Sequence, residues 1–567
     1  MKKAIRTAAP PALDPIPFNI PQPFKTELAN GLRIVIFEDS RLPLLSLRLV
    51  FFSGDVHDPA DLPGLTSAMT SLLTEGTENY SSVQIAEKIE RLGASIGSGS
   101  SDDFTSISAS SLSLYAEDML EMMAEVVFRP NFPADELDLY KRNTIESLKF
   151  QRSQPGFLAG EQTAKAIFGD HPYFQPTLSP EDVERISRED LAKFRAERFI
   201  PNNAVFVAVG SVPTDEMLQM IKDHFEDWEP GTAPHPSFPE PPKRSVRSVI
   251  LVDRPGSAQA NIVIANSGFD RSDADYFPAL VMNQILGAGA SSRVFMNLRE
   301  EKGYTYGAYT RIDSKKLAGI FEATAEVRTA VTGDSLKEFF YELERIRQNR
   351  VGDAELADAK NFLTGVFPIR AETQEGLTGL LVNQQLYGLP DDYLETYRAN
   401  IDAVTAEEVI KAAQRYVRPE EVAIVIVGDA AELLPQAAPF ADDIQIYDAQ
   451  GDPQKLSDYD QPVEAFADVD GEWHLKMQLQ GQSIPVKLIL TQEEGSISGK
   501  LDTMLGQANI AAATLRGNRF NATAESEMQG QKVEFIIAGE FDGDLISGSV
   551  STSIVPDPLA FTGERVR

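Results

Sequence analysis

The 567-residue chain is long enough for several hydrophobic cores, and its 42% hydrophobic and 24% charged residues are typical of a globular protein, not a disordered or fibrous one. Asp and Glu number 85 against 52 Lys and Arg, and the resulting formal charge of −33 argues against nucleic-acid binding. The chain has no cysteine, which excludes disulfides, thiolate metal sites and cysteine nucleophiles.

The sequence also bears on membrane and export signals. No apolar run approaches the ~20 residues of a membrane-spanning helix. The positively charged start, residues 1–6, is followed by residues 7–15, which lack the apolar segment of a signal peptide. We therefore expect no membrane span and no signal peptide in this sequence. The compartment stays open: cytoplasmic as written, or periplasmic if a leader has been removed.

A long internal repeat organises most of the chain. Residues 186–210 run from a capped helix through a Pro-containing turn to a buried strand, and residues 404–428 repeat this order. The closing glycines, Gly210 and Gly428, are 428 − 210 = 218 residues apart, which is too long for a solenoid repeat and indicates a duplicated domain. Strands and helices are interspersed within each copy. We predict the α+β class, with two duplicated α/β sandwich domains.

The clearest single helix in the first copy follows Ser81. Ser81 and Gln84 have the spacing of a capping box, and Gly93 is placed to close the helix at its carboxyl end. Between them the apolar residues recur at helical spacing, at Ile85, Ile89 and Leu92.

The periodicity changes near the carboxyl end of the chain. Apolar residues alternate with polar ones over residues 473–479 and 486–490, which indicates β-hairpins. We predict a small antiparallel β-barrel or β-sandwich there. The predicted organisation is an N-terminal extension (1–24), a first α+β domain (25–230), a second α+β domain (231–435), a linker rich in Asp, Pro and Gln (436–465) and an all-β domain (466–567).

The residues alone show no self-contained catalytic centre. None of the five histidines lies three or four residues from another, so no helix presents a paired imidazole face to zinc. The one Gly-x-Ser-x-Gly match, residues 93–97, begins at the glycine placed to close a helix, whereas a nucleophile elbow needs a strand followed by a helix. No phosphate-binding glycine loop occurs. A Ser-His-Asp arrangement is left open by the spacing.

One segment, residues 291–307, carries a specific resemblance. A helix should end there at Gly303, and a strand should begin with the tyrosines at 304 and 306. The segment resembles the signature of the second domain in the pitrilysin/insulinase family of zinc peptidases, which includes mitochondrial-type processing peptidases. In that family an arginine and a tyrosine seven residues later line the substrate chamber, and they correspond to Arg299 and Tyr306. The resemblance covers roughly residues 25–435, both copies of the repeat, and does not reach the C-terminal domain.

The resemblance also implies a zinc motif, H-x-x-E-H, whose frame is visible here as Gly64–Thr77. Ser67 and Ser71 stand at the positions of the two zinc histidines, and Thr70 stands at that of the general-base glutamate. The third ligand position falls on Ser147. A neutral hydroxyl is a poor zinc ligand beside imidazole or carboxylate, so we expect no metal at this site.

The family divides its chemistry between subunits, one with zinc and one with the arginine–tyrosine pair. The resemblance therefore implies a catalytically incomplete subunit of a heteromeric metallopeptidase, inactive alone and without a cofactor of its own. Zinc would lie in a partner subunit, the substrate would be a peptide, and Arg299 and Tyr306 would stabilise the oxyanion or bind the substrate backbone. Gly287, Gly289 and Tyr304 are further candidate substrate-binding residues, although residues 287–290 fit an ordinary turn equally well.

Three alternatives stay open. In the first, the chain is an inert scaffold or binding subunit of a larger complex; in the second, it hydrolyses a substrate through an unrecognised serine site. In the third, Arg299 and Tyr306 have only structural roles, Arg299 in a salt bridge with a nearby carboxylate and Tyr306 packed in a strand.

Overall fold

The computed structural model describes Phe18 and residues 20–234, 236–459, 467–479, 482–493, 496–503, 506–516, 518–528, 531–552 and 559–566. Most of the predicted N-terminal extension 1–24, and residues 460–465 of the predicted linker, lie outside these described residues.

The first unit is built around a six-stranded sheet with the order β1-β2-β6-β3-β5-β4. Its strands are β1 (Phe24–Glu27), β2 (Arg33–Glu38), β3 (Leu44–Phe51), β4 (Ser95–Ser100), β5 (Thr105–Leu112) and β6 (Ala204–Gly210). Its helices are α1 (Leu65–Leu72), α2 (Ser82–Leu92), α3 (Ala116–Phe128), α4 (Ala134–Arg152), α5 (Pro155–Phe168), α6 (Pro180–Arg185), α7 (Arg188–Arg198) and α8 (Thr214–Phe225).

The second unit is built around a seven-stranded sheet with the order β13-β12-β7-β11-β8-β10-β9. Its strands are β7 (Ser248–Asp253), β8 (Gln259–Ser267), β9 (Thr305–Ser314), β10 (Gly319–Arg328), β11 (Ala423–Gly428), β12 (Asp443–Tyr447) and β13 (Pro453–Gln454). Its helices are α9 (Tyr276–Leu286), α10 (Arg293–Phe295), α11 (Thr332–Gln348), α12 (Asp353–Arg370), α13 (Gln374–Leu386), α14 (Tyr393–Ala403), α15 (Ala406–Tyr416) and α16 (Ala430–Ala437). Within the described residues, no helix is both long and apolar enough to cross a lipid bilayer.

The strand orders show the duplication directly. Five strands are repeated in the two sheets, in the orders β2-β6-β3-β5-β4 and β7-β11-β8-β10-β9. Within each set of five, the first and last strands in sequence pair in parallel, β2 with β6 and β7 with β11. The last strands, β6 and β11, are apolar and buried at every residue, as expected for strands in the middle of a sheet with both faces covered. The predicted helix after Ser81 is confirmed as α2, with a reciprocal capping box and a left-handed Gly93.

The predicted linker, 436–465, begins with ordered structure. Helix α16 ends at Ala437, and β12 pairs in parallel with β7 while β13 pairs with β12. The second sheet therefore continues to residue 454, past the expected boundary at residue 435. Period-two alternation over two to five residues is too short to signal these edge strands in the sequence.

One helix of each unit packs on the sheet of the other unit. Helix α5 of the first unit packs on β8 and β11, and α13 of the second unit packs on β3 and β6. The side chains of α5 share one buried cluster with the second sheet, including Leu158, Ile167, Val263 and Val425. The two units are therefore joined by an apolar core, and their separation would expose it to water.

Equivalent hairpins of the two copies also meet at their tips. The β4–β5 tip carries Asp102 and Asp103, and the β9–β10 tip carries Lys315 and Lys316. Lys315 Nζ lies 2.6 Å from Asp102 Oδ2, and the Lys316 amide donates to Asp103 Oδ2 at 3.1 Å. The tips thus carry opposite charges where the two units touch.

The C-terminal unit is a closed barrel of eight antiparallel strands in sequence order. The strands are β14 (Gly471–Leu479), β15 (Gln482–Glu493), β16 (Ser496–Thr503), β17 (Gly506–Arg516), β18 (Arg519–Met528), β19 (Gln531–Asp542), β20 (Leu545–Thr552) and β21 (Leu559–Val566). Apolar side chains such as Trp473, Phe520 and Phe541 fill its interior. The predicted α+β class followed by a small antiparallel β domain is confirmed, and that domain is a barrel and not a sandwich.

The buried phenol of Tyr173 gives a test of the junction between the units. It donates to Asp103 Oδ1 at 2.7 Å and accepts from the Leu317 amide at 2.9 Å. We predict that Tyr173→Phe lowers the free energy of unfolding by about 1–3 kcal/mol, because it removes the donor to the buried Asp103 carboxylate and the acceptor of the Leu317 amide. Urea unfolding measures this, with the exposed Tyr341→Phe as control. Equal stability of the two variants would show that the phenol does not stabilise the junction.

Candidate functional site

The helix with the zinc-motif frame is α1, and Asp58 caps its N-terminus. Asp58 Oδ2 accepts from the Gly64 amide at 2.7 Å and Oδ1 accepts from the Thr66 amide at 2.9 Å. Gly64 has a φ of 83°, a left-handed conformation that favours glycine and lets the chain turn into the helix. The frame of the motif is therefore preserved in three dimensions.

The hydroxyls on this helix are turned toward their own backbone. Thr70 Oγ1 and Ser71 Oγ both donate to the Ser67 carbonyl, at 3.0 and 2.8 Å. Thr70 is buried, whereas Ser67 and Ser71 are exposed. Helix α1 packs against α4, which carries Ser147 as an exposed residue that accepts from the Gln151 amide group at 3.3 Å.

These four residues do not fit a zinc ion. They offer neutral hydroxyls, two of which already donate to a carbonyl, and they supply no imidazole or carboxylate to hold a dication. Across the part of the chain that the structure describes, no group of three or more His, Cys, Asp or Glu side chains is arranged to hold a metal. The absence of a metal in this chain stays a prediction.

Buried carboxyl groups lie beside this helix. Burial raises the pKa of Asp55 to about 7, against a hydrogen bond with Ser100 that lowers it and with a smaller contribution from the neighbouring charges of Asp58 and Asp102. One Asp55 oxygen, Oδ1, is buried without a hydrogen-bond partner. Burial also raises the pKa of Tyr140, the residue of α4 that hydrogen-bonds Ser67.

The arginine and the tyrosine of the second signature lie side by side. The guanidinium carbon of Arg299 is 4.8 Å from the ring centroid of Phe295 and 5.0 Å from that of Tyr306. Both distances lie within the range of cation–π attraction. The structure thus brings together the two residues that the sequence places seven apart.

Arg299 lies in an irregular helical turn. Residues Met296–Glu301 form a π-helical turn, closed by the Lys302 amide donating to the Asn297 carbonyl at 3.0 Å. The buried Asn297 side chain donates to Glu338 at 3.0 Å and to Glu342 at 3.1 Å, both on α11. Turns of this kind occur frequently at functional sites, and here α11 holds the turn in place.

Tyr306 lies at a β-bulge. Ala308 pairs with Ala325 and Thr305 pairs with Val327, so β9 has one more residue than β10 between these pairs. A bulge redirects a strand side chain and is common beside active sites. Tyr306 is 89% exposed, which contradicts the alternative that it packs within the strand.

The expected salt bridge of Arg299 is weak. Its Nε lies 3.5 Å from Glu300 Oε1, and both side chains are more than a third exposed. Exposed pairs of this kind contribute about 0–1 kcal/mol. The guanidinium therefore keeps hydrogen-bond donors that a substrate can use.

Gly287 and Gly289, two of the candidate substrate-binding residues, differ in their surroundings. A Cβ on Gly287 would lie 2.3 Å from the Thr310 amide nitrogen, and that amide donates to the Gly287 carbonyl at 3.0 Å. This buried glycine is explained by the close approach of β9, so access of a substrate to its backbone finds no support. Gly289 and Tyr304 are both half-buried, and their contact with substrate stays a prediction.

Sequence reasoning missed the aromatic neighbours of the pair. Tyr309 is partly exposed, and its ring lies 5.6 Å from that of Phe295. A Cβ on Gly307 would meet this ring at 2.7 Å, so the glycine lets Tyr309 fold over the strand. A glycine inside a strand pattern is a known signal for a bulge, and Gly307 could have revealed it.

Sequence models of two domains match the chain: "Insulinase (Peptidase family M16)" over residues 33–181 and "Peptidase M16 inactive domain" over residues 185–363. The chain belongs to the insulinase family, peptidase family M16. The resemblance in the signature segments is confirmed. Neither match reaches the C-terminal barrel.

Individual relatives agree with this family. The chain is 22% identical over 410 residues to the Bacillus subtilis "uncharacterized zinc protease YmxG", covering 71% of this chain and 98% of that protein. It is 23% identical over 399 residues to the Helicobacter pylori "non-peptidase homolog YmxG", covering 70% and 91%. The solved structure of a Pseudomonas fluorescens "peptidase M16 inactive domain" matches with a TM-score of 0.68 and 28% identity over 72% of this chain and 98% of that one.

The shifted pKa of Asp55 predicts a pH dependence of stability. Between its unfolded value of 3.8 and its folded value of about 7, the folded state holds a proton that the unfolded state has released. Stability from this group is therefore full below pH 3.8 and is lost as the pH rises to about 7. We predict that Asp55→Asn raises the free energy of unfolding at pH 8 by about 1–3 kcal/mol and by less at pH 5.

Denaturant unfolding at several pH values measures this difference, with the exposed Asp61→Asn as the matched control. An Asp55→Asn effect that does not change with pH would contradict the assignment of a buried, ionisable Asp55.

Because hydroxyls stand at the zinc-ligand positions on α1 and α4, we predict that the chain binds no zinc there. We expect the purified chain, after dialysis against buffer containing zinc, to hold far less than one zinc per molecule, because these residues supply no anionic ligand. Plasma mass spectrometry of protein and metal gives the ratio. One tightly held zinc per chain would contradict this prediction.

Proposed function

We propose that this chain is the non-zinc subunit of a heteromeric peptidase of family M16. It binds to a second family member with an intact H-x-x-E-H motif and supplies Arg299 and Tyr306 to the shared site. The partner supplies the zinc, and peptides are the substrates. The observation that carries the proposal is the pairing of two backbone irregularities, a π-helical turn and a β-bulge, which present an arginine and a tyrosine together at the surface.

Peptide hydrolysis at such a shared site needs hydrogen-bond donors opposite the zinc as well as the zinc itself. Peptide hydrolysis develops negative charge on the carbonyl oxygen, and donors placed where that charge appears stabilise the transition state. The Arg299 guanidinium is permanently charged and has a fork of N–H donors, and the Tyr306 phenol adds an O–H donor. Neither residue needs a metal in its own chain to act.

The loss of the zinc ligands and the retention of the pair support a division between subunits. If both sets of residues had been lost freely, an arginine and a tyrosine at the family's spacing and in contact with each other would be a coincidence. The Helicobacter pylori relative named as a non-peptidase homolog supports the second candidate, a scaffold without catalytic contribution.

Reconstitution with a zinc-bearing M16 subunit tests the proposal. We predict that the chain alone does not cleave a fluorogenic peptide, and that the mixed assembly does. In the assembly, Tyr306→Phe or Arg299→Ala should lower kcat by on the order of 10²–10³, as removal of one oxyanion donor does. Tyr306 is exposed and Arg299 is partly exposed, so the thermal stability of the variants should stay close to that of the unsubstituted chain.

The controls are Tyr341→Phe and Arg91→Ala, which change the same residue types at exposed positions on α11 and α2. Both should leave kcat unchanged. If the site variants assemble and turn over like these controls, the chain is a scaffold and the catalytic proposal is wrong.

A further inference from the structure

The hydroxyl of Thr305 contacts both strands at the bulge. Thr305 Oγ1 accepts from the Gly307 amide at 3.1 Å and lies 2.6 Å from the Glu326 carbonyl and 2.9 Å from the Gly307 carbonyl. A hydroxyl has one proton to donate, and the Glu326 carbonyl is the nearer acceptor. The side chain therefore joins the bulged part of β9 to the residue of β10 that the bulge leaves without a pairing partner on β9.

The orientation of Tyr306 depends on this bulge. Successive side chains of a strand point to opposite faces, and one extra residue changes which face the following side chains occupy. Tyr306 is the first residue inside the bulge, between Thr305 and Gly307. Because most of its ring is exposed, packing contributes little to the ring position, and the backbone has to set it.

We infer that Thr305 is a positioning residue, whose hydroxyl fixes the bulge and thereby holds the Tyr306 ring beside the Arg299 guanidinium. The effect on the ring is a property of this chain alone. Its effect on turnover rests on the proposed function, because Thr305 itself touches neither Arg299 nor a substrate in this account. Thr305→Val is the informative change, since valine keeps the shape and the strand preference but lacks the hydroxyl.

The ring position is measured on the isolated chain by NMR of ¹⁵N-arginine-labelled protein. The Nε–H resonance of Arg299 is assigned by its loss in Arg299→Lys, and Tyr306→Leu shows where it moves without the tyrosine ring. We expect Thr305→Val to move the resonance most of the way to the Tyr306→Leu position. Thr305→Ser, which keeps the hydroxyl, should restore the original position. An unchanged resonance in folded Thr305→Val would overturn the inference.

Thr310→Val is the matched control on the same strand. It also removes a hydroxyl, which donates to Asn283 at 2.8 Å and lies outside the bulge. The control should lower stability without moving the Arg299 resonance. Movement of that resonance by the same amount in Thr310→Val would show a general loosening of β9 and overturn the specific role of Thr305.

Turnover of the reconstituted assembly separates this inference from the proposed function. If both hold, Thr305→Val lowers kcat roughly tenfold or more with a smaller change in KM, and Thr305→Ser recovers it. A moved resonance with unchanged kcat supports Thr305 as a positioning residue and overturns the catalytic role of Tyr306. An unmoved resonance with a full loss of kcat in Tyr306→Phe supports the proposed function and overturns the role of Thr305.

Discussion

The candidate site depends on two places where the backbone departs from regular hydrogen bonding. Both lie between Met296 and Ala308, on either side of Gly303, which has a left-handed φ of 64°. On one side the π-helical turn presents Arg299, and on the other the bulge presents Tyr306. A regular helix followed by a regular strand would place these side chains differently, so their contact is a consequence of local irregularity, held by the surrounding fold.

The surrounding fold supplies that support through buried polar contacts. Asn297 ties the turn to α11, and the buried Arg293 forms a bidentate pair with Glu355 of α12, with both N–O distances at 2.7 Å. Such charge-assisted pairs fix geometry as well as contributing energy. In the first unit the motif helix is also held by a buried polar contact, since Asp58 accepts from the Gly64 and Thr66 amides. The fold therefore supports both segments, and they differ in the side chains that they present: hydroxyls on α1, and a guanidinium beside a phenol at the turn and the bulge.

Much of the fold could be predicted from the sequence because its signals are local. Both copies contain a buried strand that ends at glycine, and Ser81 and Gln84 form the capping box of α2. In the barrel strands, apolar residues alternate with polar ones. The exchange of α5 and α13 between the units could not be predicted, because an apolar helix face does not specify which sheet it covers. The short edge strands β12 and β13 were missed because pairing with β7, and not their own pattern, makes them strands.

For the site, the sequence located Arg299 and Tyr306 but could not show how they meet. The seven-residue spacing is compatible with a regular helix and strand, and only the pairing of β9 with β10 reveals the extra residue. Phe295, Thr305 and Tyr309 were missed for the same reason, since their roles come from contacts across the bulge and the turn. The sequence could not separate a packing role of Gly287 from a binding role, because a glycine that permits close packing looks the same in sequence as one that admits a ligand; substrate contact at Gly287 stays a prediction.

In the proposed assembly with a zinc-bearing partner, Arg299 and Tyr306 reach the reacting peptide bond. An electron cryomicroscopy structure of that assembly with an uncleaved peptide bound at the partner's zinc would locate both side chains. We expect the Tyr306 hydroxyl and the Arg299 guanidinium at about 3 Å from oxygens of the peptide next to the scissile bond. A peptide at the zinc with both side chains far from it, facing bulk solvent or an unrelated surface, would show that the pair takes no part in hydrolysis.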